Sequence, residues 1–290
     1  MKISVLGTGL MGAPMAQRLI AASHSVTVYN RTPEKLSPLK ATGAIAAPSP
    51  ADAIAASPCS ILMLSNATAI REVLFSRAAR DALSGRTIIQ MGTIAPAESK
   101  AIYHDVRAAG GEYLESPVLG SIPQAKSGEL ILMVGSTTTQ FEQWKALLRC
   151  FGHNPVRLGE VGCGAAVKLG MNQLIGSLTA AFAMSLGLVQ REGIDIEQFM
   201  AIVRESALYA PTFDKKLSRM VNRDFENPNF PTKHLLKDMT LFAAAAEEAG
   251  IDATAAAAVG QVVQRAIAMG LADKDYSALF AAVSPADSAG

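Results

Sequence analysis

Lys2-Ile3-Ser4-Val5-Leu6-Gly7-Thr8-Gly9-Leu10-Met11-Gly12 is the stretch that decides the fold. Its opening residues are apolar and β-branched and stop at a glycine, as a strand buried in a parallel sheet would. The glycines then follow as GxGxxG, directly ahead of a helical pattern over Met15–Ala22. The spacing alone is a weak signal; its place between a strand and a helix is what a dinucleotide fingerprint requires. Gly7 makes the tight turn, Gly9 lets the backbone approach a pyrophosphate, and Gly12 lets helix and strand pack closely. Gly7, Gly9, Leu10, Met11 and Gly12 are therefore the expected cofactor contacts, with the pyrophosphate at the helix N-terminus.

Moving outward, a second strand, Ser25–Tyr29, ends in Asn30-Arg31-Thr32. A domain that binds NAD usually has Asp or Glu at this strand end, accepting hydrogen bonds from the ribose hydroxyls. An amide followed by a guanidinium suits a 2′-phosphate instead, so the expected cofactor is NADP(H), preferred over NAD(H). An exposed arginine on a surface turn is the plain alternative for Arg31. Strand and helix patterns go on alternating: Ser60–Leu64 before a helix at Ala67–Phe75, Thr87–Met91 before one at Pro96–Ala109. Ligands gather at the carboxyl edge of such a sheet, which makes Leu64, Asn66 and Thr93 further cofactor candidates. Ser116-Pro117-Val118-Leu119-Gly120-Ser121 carries a loop whose N–H groups can form a nest for a carboxylate. A strand at Ile131–Val134, a helix at Thr138–Phe151 and a strand at Asn154–Leu158 complete this half.

From Gly162 the strand patterns cease and five helical segments follow, beginning at Ala165–Arg191, with a short one near Tyr276. The first would be roughly 40 Å long, enough to join two domains. Between Glu160 and Arg191 its only charged residue is Lys168, and Gly164, Lys168 and Asn172 fall on one stripe at helical spacing. A lone ammonium on an apolar helix must gain something for its lost hydration. The stripe is expected to face a substrate, the alternative being a lysine that reaches out to water. Lys237, near the start of the His234–Ala249 segment, is a second lysine of interest, or else a solvated surface residue. The fold expected is thus an α/β Rossmann-type dinucleotide-binding domain over residues 1–161, followed by an all-α domain over 162–290, joined by a long interdomain helix.

Composition bounds the function. In 290 residues half are hydrophobic and 18% charged, and the formal net charge is +1. A sizeable core is expected, with no electrostatic case for nucleic acid or an anionic membrane. Leu174–Val189 is apolar, but shorter than the roughly 20 residues a membrane span needs and interrupted by Ser177, Thr179 and Ser185. Cys59, Cys150 and Cys163 are odd in number and widely spaced, with no CxxC, which predicts free thiols, a cytoplasmic location and no metal site. His24, His104, His153 and His234 form no catalytic grouping. Ser284–Gly290 reads as a loose tail.

Taken together, Gly7–Gly12 with Met15-Ala16, Asn30-Arg31-Thr32, Gly92-Thr93, Pro117–Gly120, Gly162–Asn172 and Lys237-Asp238 resemble the β-hydroxyacid dehydrogenase family over nearly the whole chain. The family includes 3-hydroxyisobutyrate dehydrogenases and the glyoxylate and succinic semialdehyde reductases. The resemblance implies that Lys168 is the catalytic residue and that Asn172, Gly120, Ser121 and Lys237 bind substrate. It also implies that Thr93 and Lys237 touch the cofactor. The substrate would be a small carboxylate-bearing carbonyl or hydroxyacid, and the enzyme a homodimer or homotetramer. One departure stands out: the family commonly has Ser-Gly-Gly where this chain has Leu119-Gly120-Ser121. Related imine reductases generally lack the lysine, so its presence argues for a carbonyl substrate. Three readings remain: an NADPH-dependent reductase of a semialdehyde or 2-oxo acid, an oxidative 3-hydroxyisobutyrate-type dehydrogenase, and a non-catalytic NADP-binding module.

Overall fold

In the computed structural model, residues 1–286 are described, and they form two compact units that divide after Leu169. The first is built on a sheet of β1 (Lys2–Leu6), β2 (Ser25–Tyr29), β3 (Ile45–Ala46), β4 (Cys59–Leu62), β5 (Thr87–Gln90), β6 (Glu112–Glu115), β7 (Val118–Leu119), β8 (Ile131–Gly135) and β9 (Val156–Gly159). The strand order is β3-β2-β1-β4-β5-β6-β8-β7, with β9 also paired to β8. From β3 to β6 every pairing is parallel; β8 runs antiparallel to β6 and β7. Alternation along β1 feeds two cores, one on each face. Ile3 and Val5 pack with Met15 and Leu19, while Leu6 packs with Ile54, Leu62 and Ile102. Ser4 is buried in β1 and donates from Oγ to the Ala53 carbonyl at 2.5 Å, so the polar residue in that strand is satisfied.

The strands expected from sequence are all present, with ends shifted by a residue or two. The last begins at Val156 instead of Asn154, because Pro155 has no N–H to give to the ladder. The two-residue strands β3 and β7 are too short to show a period.

The second unit is helical. The helix Cys163–Arg191 begins in the first unit and runs into it; Ile196–Glu205, Pro211–Val221, Thr232–Glu248 and Thr254–Ala266 follow. Phe182, Ala183 and Leu186 of the long helix share a core with Met200, Met220, Leu235, Met239, Val263 and Phe280. Among the described residues this is the one helix long and apolar enough to cross a membrane by length and composition. The fifth helical segment, whose sequence pattern runs from Ala253 to Met269, is α-helical to Ala266 and continues as a π turn over Ile267–Leu271, inside which Gly270 takes a left-handed φ of 81°. Lys216 and Asp275 form a buried ion pair, Nζ to Oδ1 2.7 Å, with Nζ 4.1 Å from the Tyr276 ring centroid. The expected loose tail is held at its start. Arg223 donates to the Ser284 carbonyl at 2.7 Å and Arg191 to that of Pro285 at 3.0 Å, while 287–290 lie outside the described residues.

Candidate functional site

The ends of β1, β2, β4 and β5 meet at the carboxyl edge of the sheet. Gly7 N–H donates to the Tyr29 carbonyl, Met63 N–H to Leu6 and Met91 N–H to Leu62, each at 2.9 Å. This brings the Gly7–Gly12 loop, Asn30, Leu64 and Thr93 to one edge, on either side of the point where strand order reverses. Gly7 takes a φ of 97°, and a Cβ there would meet Leu64 Cδ2 at 2.8 Å. A Cβ on Gly12 would land on the Gly7 carbonyl oxygen, whereas Gly9 has nothing within 4 Å. The helix Gly12–Ala21 carries no side-chain cap and no acidic residue in its first turn. Free N–H groups, a closed turn and open space beside Gly9 fit a pyrophosphate. Leu10 is 47% exposed on the same loop.

Asn30 has a role that the sequence did not reveal. Its Nδ2 donates to Thr8 Oγ1 and its Oδ1 accepts from Thr32 N–H, each at 2.9 Å. The amide thus ties the end of β2 to the glycine loop, and Arg31 and Thr32 stand exposed beside it. Asn66 caps the helix Ala67–Leu74 through Oδ1, accepting from Ala69 N–H at 2.8 Å. Gln90, buried at the end of β5, folds its amide onto Gly92 and braces the turn that presents Thr93.

Leu119 in β7 lies opposite Ile131 of β8. Gly120 follows with a φ of 137°, and Ser121 opens the short helix Ile122–Ser127. Ser121 N–H and Oγ both donate to Gln124 Oε1, at 3.0 and 2.8 Å. Two donors expected to meet a carboxylate are therefore engaged with Gln124, which must yield before they can serve an anion.

Lys168 is 8% exposed and Asn172 2%, one helical turn apart on Cys163–Arg191. The third member of the expected stripe behaves differently. A Cβ on Gly164 would collide with the Met133 carbonyl oxygen, so Gly164 serves the contact between helix and β8 and does not face a substrate. At the start of the same helix lies Glu115, fully buried at the end of β6. Its Oε1 accepts from Gly162 N–H at 2.8 Å and Ala165 N–H at 3.0 Å, and its Oε2 from Ser99 Oγ, which is 2.8 Å from Tyr113 Oη. Burial pushes this carboxyl above its ordinary range, against the pull of the Ser99 and main-chain donors.

In the helical unit Asn172 Nδ2 donates to Asp238 Oδ2 at 2.5 Å, and Lys237 Nζ sits 3.0 Å from Asp238 Oδ1. Asp238 is 1% exposed. It joins two residues chosen from sequence, and its own signal was only its position beside Lys237. Among the described residues no cluster of His, Cys, Asp and Glu could hold a metal ion.

Two family models divide the chain between them. Residues 2–162 match the NAD-binding domain of 6-phosphogluconate dehydrogenase, and residues 162–283 match the NAD-binding model of NADP-dependent 3-hydroxyisobutyrate dehydrogenase. The chain belongs to the β-hydroxyacid dehydrogenase family. Glyoxylate/succinic semialdehyde reductase 2, chloroplastic, of Arabidopsis thaliana is 35% identical, covering 99% of this chain and 80% of the relative. Glyoxylate/succinic semialdehyde reductase 1 of the same plant is 33% identical over 98% of both. Among solved structures, 3-hydroxyisobutyrate dehydrogenase from Salmonella typhimurium superposes with a TM-score of 0.86 at 25% identity, covering 96% of this chain and 98% of that one. Members of the family use a nicotinamide dinucleotide, and this chain is an NAD(P)-dependent hydroxyacid dehydrogenase. The non-catalytic reading falls with that.

Proposed function

We propose that the enzyme is an NADPH-dependent reductase of small carboxylate-bearing aldehydes or 2-oxo acids, of the succinic semialdehyde or glyoxylate class. The observation that carries this is Lys168, the one charged residue between Glu160 and Arg191, buried to 8% exposure in an apolar helix. The printed activities of the two plant relatives support the substrate class. Arg31, exposed beside the glycine loop where a carboxylate would select NAD, supports NADP. Free Cys59, Cys150 and Cys163 support a reducing, cytoplasmic setting.

When bound, the nicotinamide supplies the hydride. Lys168 Nζ hydrogen-bonds to the substrate's carbonyl oxygen, stabilises the negative charge that develops there and gives up one proton to it. The alcohol is then complete, and the neutral lysine regains its proton from solvent. In the oxidative direction neutral Lys168 accepts the hydroxyl proton. The amide of Asn172 is oriented by Asp238, which takes Nδ2 and leaves Oδ1 as the end able to accept from a substrate hydroxyl. Gly120 and Ser121 receive the substrate carboxylate, and Lys237 and Thr93 contact the cofactor, Lys237 lying near the substrate as well. Leu174, Leu178, Met184 and Leu188 form an exposed apolar stripe on the long helix, which supports a homodimer or homotetramer.

The test is Lys168→Ala, assayed by NADPH oxidation over a panel that includes glyoxylate and succinic semialdehyde. NADPH binding is expected to persist while turnover falls by at least about a hundredfold; near-normal kcat removes the assignment. Likeness to the Salmonella structure favours a second reading, oxidation of a 3-hydroxyisobutyrate-type substrate. Rates in both directions with both cofactors separate the two.

A further inference from the structure

We infer that Glu115 is the positioning residue for Lys168, acting as a remote anionic cap on the helix that carries it. A helix leaves its first N–H groups without internal partners, and here their fate can be followed one by one. Cys163 N–H donates to the Glu160 carbonyl at 3.1 Å, and Ala166 N–H to the Gly162 carbonyl at 3.0 Å. Between them, Gly162 and Ala165 both give their N–H to Glu115 Oε1, and Gly164 N–H points to the same carboxylate.

The helix has no acidic residue in its own first turn, so the negative charge its N-terminus favours comes from a strand 47 residues earlier. The site is shaped for that carboxylate. Cβ atoms on Gly135 or Gly164 would intrude on Oε1, and Ser99, itself beside Tyr113 Oη, fixes Oε2. Gly162 N–H, Ala165 N–H and Ser99 Oγ all donate, as an acceptor-only carboxylate requires.

Lys168 follows Ala165 by less than one turn. The same carboxylate that completes the helix start therefore sets its rotation and its height against β6 and β8. A proton donor needs that placement, because about 1 Å of misplacement can cost roughly a hundredfold in rate. Glu115 touches neither reactant in this account; it acts through Lys168, and the inference rests on the proton-donor reading above.

The experiment is Glu115→Gln, which keeps the shape and removes the charge, measured beside Lys168→Ala. NADPH titration counts competent sites, and glyoxylate and succinic semialdehyde serve as probe substrates. The expected result is a kcat per NADPH-binding site lowered about tenfold, with NADPH Kd and substrate KM changed less than about twofold. A lowered Tm with wild-type kcat per site would make Glu115 merely structural and overturn the inference. Ser99→Ala releases only Oε2 and serves if the glutamine variant does not fold. A kcat reduced about threefold at unchanged NADPH Kd supports the inference, and wild-type kcat overturns it. Retained turnover in Lys168→Ala sinks the proton-donor reading itself. Lost turnover there with wild-type kcat in Glu115→Gln sinks only this inference.

Discussion

At the scale of single residues, the two side chains that follow β2 divide their labour. Asn30 is spent on Thr8 and Thr32, so it shapes the turn, and Arg31 is left exposed, available for the nucleotide selection proposed above. Arg31→Asp is expected to lower the kcat/KM ratio of NADPH over NADH by about ten- to a hundredfold, the worth of a charged hydrogen bond. An unchanged ratio would leave Arg31 a surface residue. Lys168 was visible in the sequence because a charge in an apolar helix is conspicuous. Glu115 was not, and Asp238 stood out only as the neighbour of Lys237, with no sign of its bond to Asn172. Each is a carboxylate among ordinary neighbours whose partner lies 66 or 47 residues away. Such pairings are tertiary facts, and no local pattern announces them.

At the scale of elements, the parallel strands and long helices were legible because burial on both faces or along one stripe imposes a period. The two-residue strands β3 and β7 and the Gly120–Gln124 turn were not, since their conformation is set by neighbours. The helices of the second unit are joined by more than apolar contact. Burial pushes the Asp275 carboxyl up, but the Lys216 charge and the donors from Lys216 and Ser277 outweigh it and hold it below its ordinary range. Burial likewise pulls Lys216 down, further than Asp275 can raise it. Asp275→Asn would strand a buried ammonium and is expected to cost about 3–5 kcal/mol in urea unfolding at neutral pH. Because the folded carboxyl lies below its unfolded value, near ~3.9, its contribution is complete above that value. It disappears as pH falls through the folded value. The gap between wild type and variant should therefore narrow in acid; a constant gap from neutral pH to about 3 would remove the ion pair as its cause.

At the scale of the whole molecule, the two units have separate cores and one continuous helix belongs to both. Cofactor that binds only the folded chain adds RT ln(1 + [L]/Kd), about 2.7 kcal/mol at a hundred times Kd. Calorimetry with NADPH at that excess should raise the transition that melts the sheet unit, and equal concentrations of NADH should raise it less. Identical shifts with the two nucleotides would remove the NADP preference.

The shared helix has a further consequence, for which lengths of chain evolution and engineering can vary. Loops absorb an added residue by bulging, but a helix passes the change on as phase. One residue inserted between Lys168 and Asn172 would turn everything beyond it by about 100° and advance it by about 1.5 Å. Lys168 and Asn172 would leave their common stripe, while Phe182 and Leu186 would rotate out of register with their core. Substitutions on Cys163–Arg191 can be tolerated by degrees, whereas its residue count between the cap and the core is effectively quantised.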